Sequence, residues 1–538
     1  MIEMHNAFKH IDKFLELKMK EVNIPGMVVA ITDREKLIRV SAYGLADIAA
    51  QVPVTPDSLF EIASMGKSFT VTALLQLHDE GKLDLQAPVT QYLPWFQVQS
   101  EYSPITVHHL MGHTAGIVRG TELAPHGLYD SWALRQTRTS VPPGQYWHYS
   151  SIGYKTLGFL LERLTGQSMK EVIQSRILDP LEMTETHPII TFETHKKAVT
   201  GYCSLYDDRP EHSTHPLTPA MWSEYATGDG CQVSTAEDMA IFLRMLMNKG
   251  MGSYGRLISE ESFNLMAPLE TFSGEETYGY AMVAYPVDGN IYLGHGGANV
   301  GYSSHILADV EEGTGVVILT NRQGESGAVY DSAIHILKVV RTANHNEEIP
   351  ALPPATDPIS ISNAKDYIGI YRTEGNELKI TSEEDMLLLD YEGKKIPFEQ
   401  RAKDTFYIPH PQFDLFMLEF KRDGEKVVEA FHGSDWYVND NYSGKLYFNR
   451  PEEWEAYPGH YRTRNPELSN FRVVLRKDTL VLLFPAGDSE PLIPLGDGSF
   501  RIGDDYRSPE TLSFHAVLEG RALRADYSGC PYYRTFTR

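Results

Sequence analysis

Ser64-Met-Gly-Lys67-Ser-Phe-Thr-Val-Thr-Ala-Leu-Leu-Gln-Leu-His-Asp-Glu80 is the stretch on which the reading of this chain turns. Phe69, Leu74 and Leu77 fall on one side of a helical wheel and Gly81 supplies a stop, so the spacing predicts a helix over 68–80. Ser64 and Lys67 stand three residues apart at its start, which puts both side chains on one face within reach of each other. The helix N-terminus and partial burial both disfavour a charged ammonium there. A free amine beside a hydroxyl can accept its proton and make a nucleophile of Ser64. A second Ser-x-x-Lys, Ser362-Asn-Ala-Lys365, precedes a strand and lacks the helical continuation, so it reads as structural.

Outward from Ser64, the N-terminal side holds two β-rich runs, Gly26-Met-Val-Val-Ala-Ile31 and Lys36-Leu-Ile-Arg-Val40, divided by the polar Asp33-Arg34-Glu35 as in a hairpin. On the other side the pattern is mainly helical with long loops to about Tyr280. Strands then return at Asn290–Leu293 and Gly315–Thr320, followed by a helix from Gly327 to Val340. Helices inserted between early and late strands of one antiparallel sheet describe an α+β domain with a helical lobe beside the sheet. This catalytic domain is expected over residues 1–345.

A proline-rich linker is expected over 346–359, where four prolines interrupt any periodicity. Beyond it, short alternating runs such as Met386–Leu389, Phe413–Phe420 and Val473–Leu483 are punctuated by Gly, Asp and Asn, which predicts antiparallel β structure. Tyr367-Ile-Gly-Ile-Tyr371-Arg-Thr373 is echoed by Tyr457-Pro-Gly-His-Tyr461-Arg-Thr463. Two related small β-barrels, 360–450 and 451–538, are the simplest account of the repeat.

The 538 residues exceed one ordinary domain, and 42% hydrophobic with 22% charged residues is the composition of a folded globular protein. A formal charge of -24 repels phosphate backbones and anionic lipid surfaces, so nucleic acid is excluded as a partner. Cys203, Cys231 and Cys530 form neither a disulfide framework nor a cysteine zinc site, which fits a reducing compartment. Met4, Phe8, Ile11 and Leu15 are spaced as an amphipathic helix and not as a signal segment, and no run approaches a membrane span. A soluble cytoplasmic protein acting on a small molecule or short peptide is expected, and a homo-oligomer is left open.

Three further groups have the chemistry to join Ser64. Tyr149-Ser150-Ser151 follows the turn signal Pro142-Pro143-Gly144 and precedes a helical run through Leu157, Leu160, Leu161 and Leu164. A phenol placed there serves as a proton shuttle beside Lys67, or simply packs, while Ser150 and Ser151 suit helix capping. His295-Gly296-Gly297-Ala298 ends the Asn290–Leu293 strand. Its glycines permit close backbone approach, so the N–H groups of Ala298 and Ser64 are candidates for an oxyanion hole; a plain glycine-rich turn is the other reading. His108, His109 and His113 cluster as well, but without a Glu or third ligand in pattern they read as structural, and no metal or cofactor is expected.

Taken in order, Ser64-x-x-Lys67, Tyr149-x-Ser151 and His295-x-Gly297 resemble the three-motif set of class C β-lactamases, DD-peptidases and related penicillin-recognising serine hydrolases. Thr55–Phe60, Ile105–Gly116 and Gly230–Asp238 look like recurring segments of the same family, and the similarity spans about residues 5–343. The resemblance implies a β-lactamase/transpeptidase-like catalytic domain. It further implies Ser64 as nucleophile, Lys67 and Tyr149 as proton carriers, and Ser151, His295, Gly296 and Gly297 as substrate-binding positions. A catalytic domain followed by two barrels looks like the D-aminopeptidase branch. Two departures bear on substrate. Ser151 stands where the family often has Asn, and His295 where β-lactamases usually carry a lysine for a substrate carboxylate. Both favour an aminopeptidase or a broad carboxylesterase over a carboxypeptidase or β-lactamase; a non-catalytic penicillin-binding sensor is the reading outside enzymology. A Tyr-x-Asn also occurs at Tyr437-Val438-Asn439, in the expected first barrel, and is taken as coincidence.

Overall fold

Neither the early nor the late β-runs of the first domain can cover their own faces, and they meet in one sheet. The computed structural model describes residues 2–120, 127–269, 275–354, 357–465 and 467–535. Its contacts divide the chain into two units, Met1–Leu205 with Pro216–Pro353, and Tyr206–His215 with Pro354–Arg538. Ala355 and Thr356 of the 346–359 stretch lie outside the described residues.

In the first unit the order is α1 (Ile2–Glu21), β1 (Gly26–Asp33), β2 (Leu37–Asp47), β3 (Val52–Pro53), β4 (Phe60–Glu61), α2 (Lys67–Asp79), α3 (Ser151–Thr165) and β5 (Val233–Ser234), with shorter elements between. The chain returns as β6 (Thr277–Tyr278), β7 (Val283–Val287), β8 (Asn290–Asn299), β9 (Tyr302–Asp309), β10 (Thr314–Thr320) and α4 (Ser326–Asn344). Eight strands form one antiparallel sheet in the order β6-β7-β8-β9-β10-β1-β2-β3, with Val29 of β1 between Ile318 and Ser41. Both faces are covered. Val28 and Ala30 point into the core shared with the helical lobe, whereas Met27, Val29 and Ile31 enter a second core closed by Ile11 and Leu15 of α1 and Ile336 and Val340 of α4. Two-sided burial is why β1 reads as a continuous apolar run and not as an alternation.

The strand expected over Asn290–Leu293 runs on to Asn299. Gly296 and Gly297 pair with His305 and Ser304, and the turn falls at Val300-Gly301, where Gly301 has φ +90°. The glycines are therefore strand residues, and the glycine-rich-turn reading is corrected.

The second unit is antiparallel throughout. Strands from Gly369–Thr373 to Asp435–Val438 form a nine-stranded sheet whose two edge strands, Lys394–Pro397 and Glu399–Ala402, are consecutive in the chain, so it is nearly closed; Gly459–Arg462 to Cys530–Arg534 form a closed eight-stranded barrel. The tyrosine repeat has a structural basis. Tyr371 donates its hydroxyl to the Tyr367 carbonyl at 3.0 Å and Tyr461 to the Tyr457 carbonyl at 2.6 Å, both rings being wholly buried. Of the expected run 413–420 only 418–420 is strand, as the start of Leu418–Asp423, and 473–483 falls in a hairpin of Asn470–Arg476 and Thr479–Leu483. Residues 206–215, which a linear reading leaves inside the catalytic domain, group here instead. Asp207 pairs with Arg462, Arg209 with Asp414 at 3.1 Å, and His212 with Glu399 at 3.0 Å.

Candidate active site

Ser64 sits in a 3₁₀ turn, Ala63–Gly66, that runs straight into α2. The helix begins at Lys67, three residues later than Ser64, yet the one-turn spacing holds. Lys67 is fully buried, with Nζ 2.9 Å from Ser64 Oγ and 2.7 Å from the Asp229 carbonyl oxygen. That carbonyl is held in turn, because the Asp229 carboxylate accepts from the Tyr225 hydroxyl at 2.9 Å and from Thr227 Oγ1. Ala63 takes φ +50°, a conformation a non-glycine residue adopts at a cost, immediately before the nucleophile. Gly230, with φ +132°, has to be glycine, since a Cβ there would lie 2.1 Å from the Ala63 carbonyl oxygen.

The Tyr149 ring lies beside two basic side chains, its centroid 5.1 Å from Lys67 Nζ and 5.7 Å from Arg119 Cζ. Ser150 is the N-cap of α3, accepting from the Gly153 N–H at 3.1 Å, while Ser151 is the first helical residue and donates its N–H to the Arg119 carbonyl at 2.9 Å. Of the two serines expected to cap, Ser150 carries the capping bond. His113 fixes this segment from below. Its Nδ1 accepts the Ser150 N–H at 3.0 Å, its carbonyl accepts the His148 N–H at 2.8 Å, and its ring lies 4.4 Å from that of Tyr149. Burial above all, with Lys67 nearby, pushes the His113 imidazole well below its ordinary range. His109 closes a capping box with Thr106, and His108 bonds the Tyr280 hydroxyl at 2.5 Å.

β8 forms the other wall. A Cβ on Gly297 would lie 2.2 Å from the Ile62 carbonyl oxygen and 2.3 Å from Ser304 Oγ, so only glycine lets the strand press against the turn bearing Ser64. Ser304 Oγ bonds that same Ile62 carbonyl at 3.1 Å. The next residue, Ala298, is exposed beside the turn. His295 is 5% exposed, with Nδ1 2.6 Å from the Gly296 carbonyl and Nε2 3.1 Å from the Tyr278 hydroxyl. A carbonyl only accepts, so Nδ1 carries the proton and Nε2 accepts from Tyr278. Burial, followed by Lys67, lowers His295 to about 3, which leaves it neutral at ordinary pH.

Ser64, Lys67 and Tyr149 are thus brought together from the turn entering α2, from α2 itself and from the segment just before α3, and Gly297 and Ala298 from β8. Tyr278 and the Asp229 carbonyl are partners that sequence reasoning missed. Tyr278 lies in no motif, and a backbone carbonyl leaves no side-chain signature, although Asp229 adjoins the family-like segment beginning at Gly230. Elsewhere, Ser362 and Lys365 are exposed in the second unit, Tyr437 is buried in the core of the nine-stranded sheet, and Asn439 Nδ2 bonds the Val427 carbonyl at 2.8 Å. No helix among the described residues is long and apolar enough to cross a membrane.

Comparison with known proteins agrees with this geometry. Residues 11–340 match the Beta-lactamase family. Protein flp of Staphylococcus aureus is 26% identical over 330 residues, covering 60% of this chain and 64% of its own length. Protein Rv1367c of Mycobacterium tuberculosis is 30% identical over 270 residues, 45% of this chain and 67% of that one. Among solved structures, the octameric penicillin-binding protein homologue from Pyrococcus abyssi has a similar fold, with TM-score 0.57 and 24% identity over 80% of this chain and 99% of its own.

Proposed function

Because the chain belongs to the Beta-lactamase family, we propose that it is a serine hydrolase working through an acyl-enzyme on Ser64, directed to small amides, esters or short peptides bearing an N-terminal D-amino acid. The observation that carries the reading is the buried Lys67 amine, 2.9 Å from Ser64 Oγ and anchored on the Asp229 carbonyl. Ser64 Oγ attacks the substrate carbonyl carbon as Lys67 Nζ takes the hydroxyl proton. The tetrahedral oxyanion accepts from the N–H groups of Ser64 and Ala298, a contribution of about 3 kcal/mol per donor. The proton travels by way of Tyr149 to the leaving amine or alkoxide, the C–N or C–O bond breaks, and the acyl-enzyme remains. Water then attacks the ester, gives its proton to the same pair, and releases the acid and free Ser64.

Substrate choice follows from β8. His295 is neutral and both ring nitrogens are engaged, so this strand offers no cation for a substrate carboxylate. That supports aminopeptidase-type substrates over β-lactams or peptides read at a C-terminal carboxylate. A broad carboxylesterase is the second reading, favoured by Ser151, whose side chain is too short to grip an amide as Asn does. Rates of wild type and Ser64→Ala on paired D- and L-alanine p-nitroanilides, p-nitrophenyl esters and a chromogenic cephalosporin separate these. Ser64-dependent turnover of the D-anilide supports the D-peptidase, and turnover of esters alone replaces it with the esterase. Stable acylation without turnover makes the protein a sensor.

A further inference from the structure

Glu61 lies three residues before Ser64 in β4, is 4% exposed, and has no part in the steps above. Its Oε2 accepts from Asn299 Nδ2 at 2.6 Å. Asn299 ends β8 directly after Ala298, and its Oδ1 accepts the Val300 N–H at 2.8 Å, shaping the turn into β9. One side-chain bond therefore links the segment that bears the first proposed oxyanion donor to the residue next to the second. The peptide between Glu61 and Ser64 has little freedom. Glu61 pairs with Val233 of β5, the Ile62 N–H bonds the Gln232 carbonyl at 3.1 Å, and the Ile62 carbonyl meets Ser304 and the flush face of Gly297.

We propose that Glu61 is a positioning residue of the acylation site: through Asn299 it holds Ala298 in register with Ser64, so that both N–H groups face the developing oxyanion. The inference rests on the reading of Ser64 and Ala298 given above. A carboxylate suits this task because an amide bond to an ionised acceptor is stronger than one to a neutral acceptor. Burial pushes the Glu61 carboxyl up to about 7, with the Asn299 bond acting in the opposite direction. From β9 the Tyr302 hydroxyl faces it, donating to the Val199 carbonyl at 2.7 Å and kept neutral by burial; Val233 of β5 and Gln232 just before it add no charge. The hold on Asn299 is therefore firm when Glu61 is ionised and relaxes as it takes up a proton near neutrality. kcat rises with pH through that ionisation while KM stays level, since the oxyanion exists only in the transition state.

The test is steady-state hydrolysis of p-nitrophenyl acetate by the full chain, from about pH 5.5 to pH 9, for wild type, Glu61→Gln, Asn299→Ala and the double variant. Glu61→Gln keeps the shape and removes the charge. It is expected to lower kcat above neutrality about tenfold, leave KM within about twofold, and abolish the limb near neutral pH. Asn299→Ala, at the half-buried end of β8 and checked for folding by its thermal melt, is expected to do the same, with the double variant no worse than either single one. A wild-type rate and pH limb in Glu61→Gln, or losses that multiply in the double variant, overturn the inference while leaving Ser64 catalysis standing. A wild type that forms no Ser64 acyl-enzyme overturns the reading beneath it.

Discussion

Replacing Gly297 by alanine tests the close approach of β8 to the nucleophile's turn. The new Cβ would fall 2.2 Å from the Ile62 carbonyl oxygen and 2.3 Å from Ser304 Oγ, where ordinary contact begins at 3.4 Å. Ser304 can rotate away. Ile62 cannot, because its own N–H is bonded to Gln232 and it lies two residues before Ser64. The strand must therefore retreat by about 1 Å, a displacement able to cost about 100-fold in rate when it misplaces a catalytic group. Loss of one oxyanion donor leads to a similar figure, about 3 kcal/mol. Overpacking also lowers stability by about 1–3 kcal/mol, so the variant is assayed well below its melting temperature. On a p-nitrophenyl ester, kcat is expected to fall about 100-fold with KM changed by less than about threefold. A folded Gly297→Ala with kcat within about twofold of wild type refutes the placement of Ala298 in the oxyanion hole.

Lys155 and Asp130 form an ion pair at 2.8 Å with side chains 3% and 6% exposed. Lys155→Met removes the cation and leaves a buried carboxylate, so chemical denaturation should show a loss of about 3–5 kcal/mol, and a loss below about 1 kcal/mol would contradict the burial. Acid should destabilise the first unit through its buried neutral imidazoles, among them His295 held at about 3 and His305 at about 4, both by burial above all. Their folded values lie below the unfolded one, so their contribution is intact above about pH 6.5 and is lost as pH falls towards 4, at most about 2–3 kcal/mol each by pH 4.5. Thermal melting from neutral pH down to about 4.5 reads this, and an acid dependence that His305→Gln fails to flatten would remove His305 from the account.

Most of the fold was legible because its signals are local. The Ser64–Glu80 run shows its helix in the spacing of Phe69, Leu74 and Leu77, and the repeat at Tyr367 and Tyr457 marks the start of each C-terminal sheet, where one hydroxyl bonds a carbonyl four residues back. Contacts between distant residues were not legible. Nothing near His295 announces Tyr278 as its partner, and nothing near Lys67 announces the Asp229 carbonyl. Glycines mislead a linear reading in the same way. Gly296 and Gly297 look like a turn until the strand pairing is seen, and at Gly297 the Ile62 backbone, far earlier in the chain, leaves no room for a side chain. Residues 206–215 were misplaced because their charges are satisfied by Arg462, Asp414 and Glu399, all remote in sequence.

Identifying the residue that becomes acylated is the most direct test of the central claim. Wild type and Ser64→Ala are mixed with p-nitrophenyl acetate, quenched in acid during the burst, digested, and the peptides weighed and fragmented. The account predicts one acetyl group on Ser64 in the wild type, and neither acetylation nor catalysed turnover in Ser64→Ala. Acetyl on another residue, or turnover by the wild type that Ser64→Ala retains in full, would contradict it.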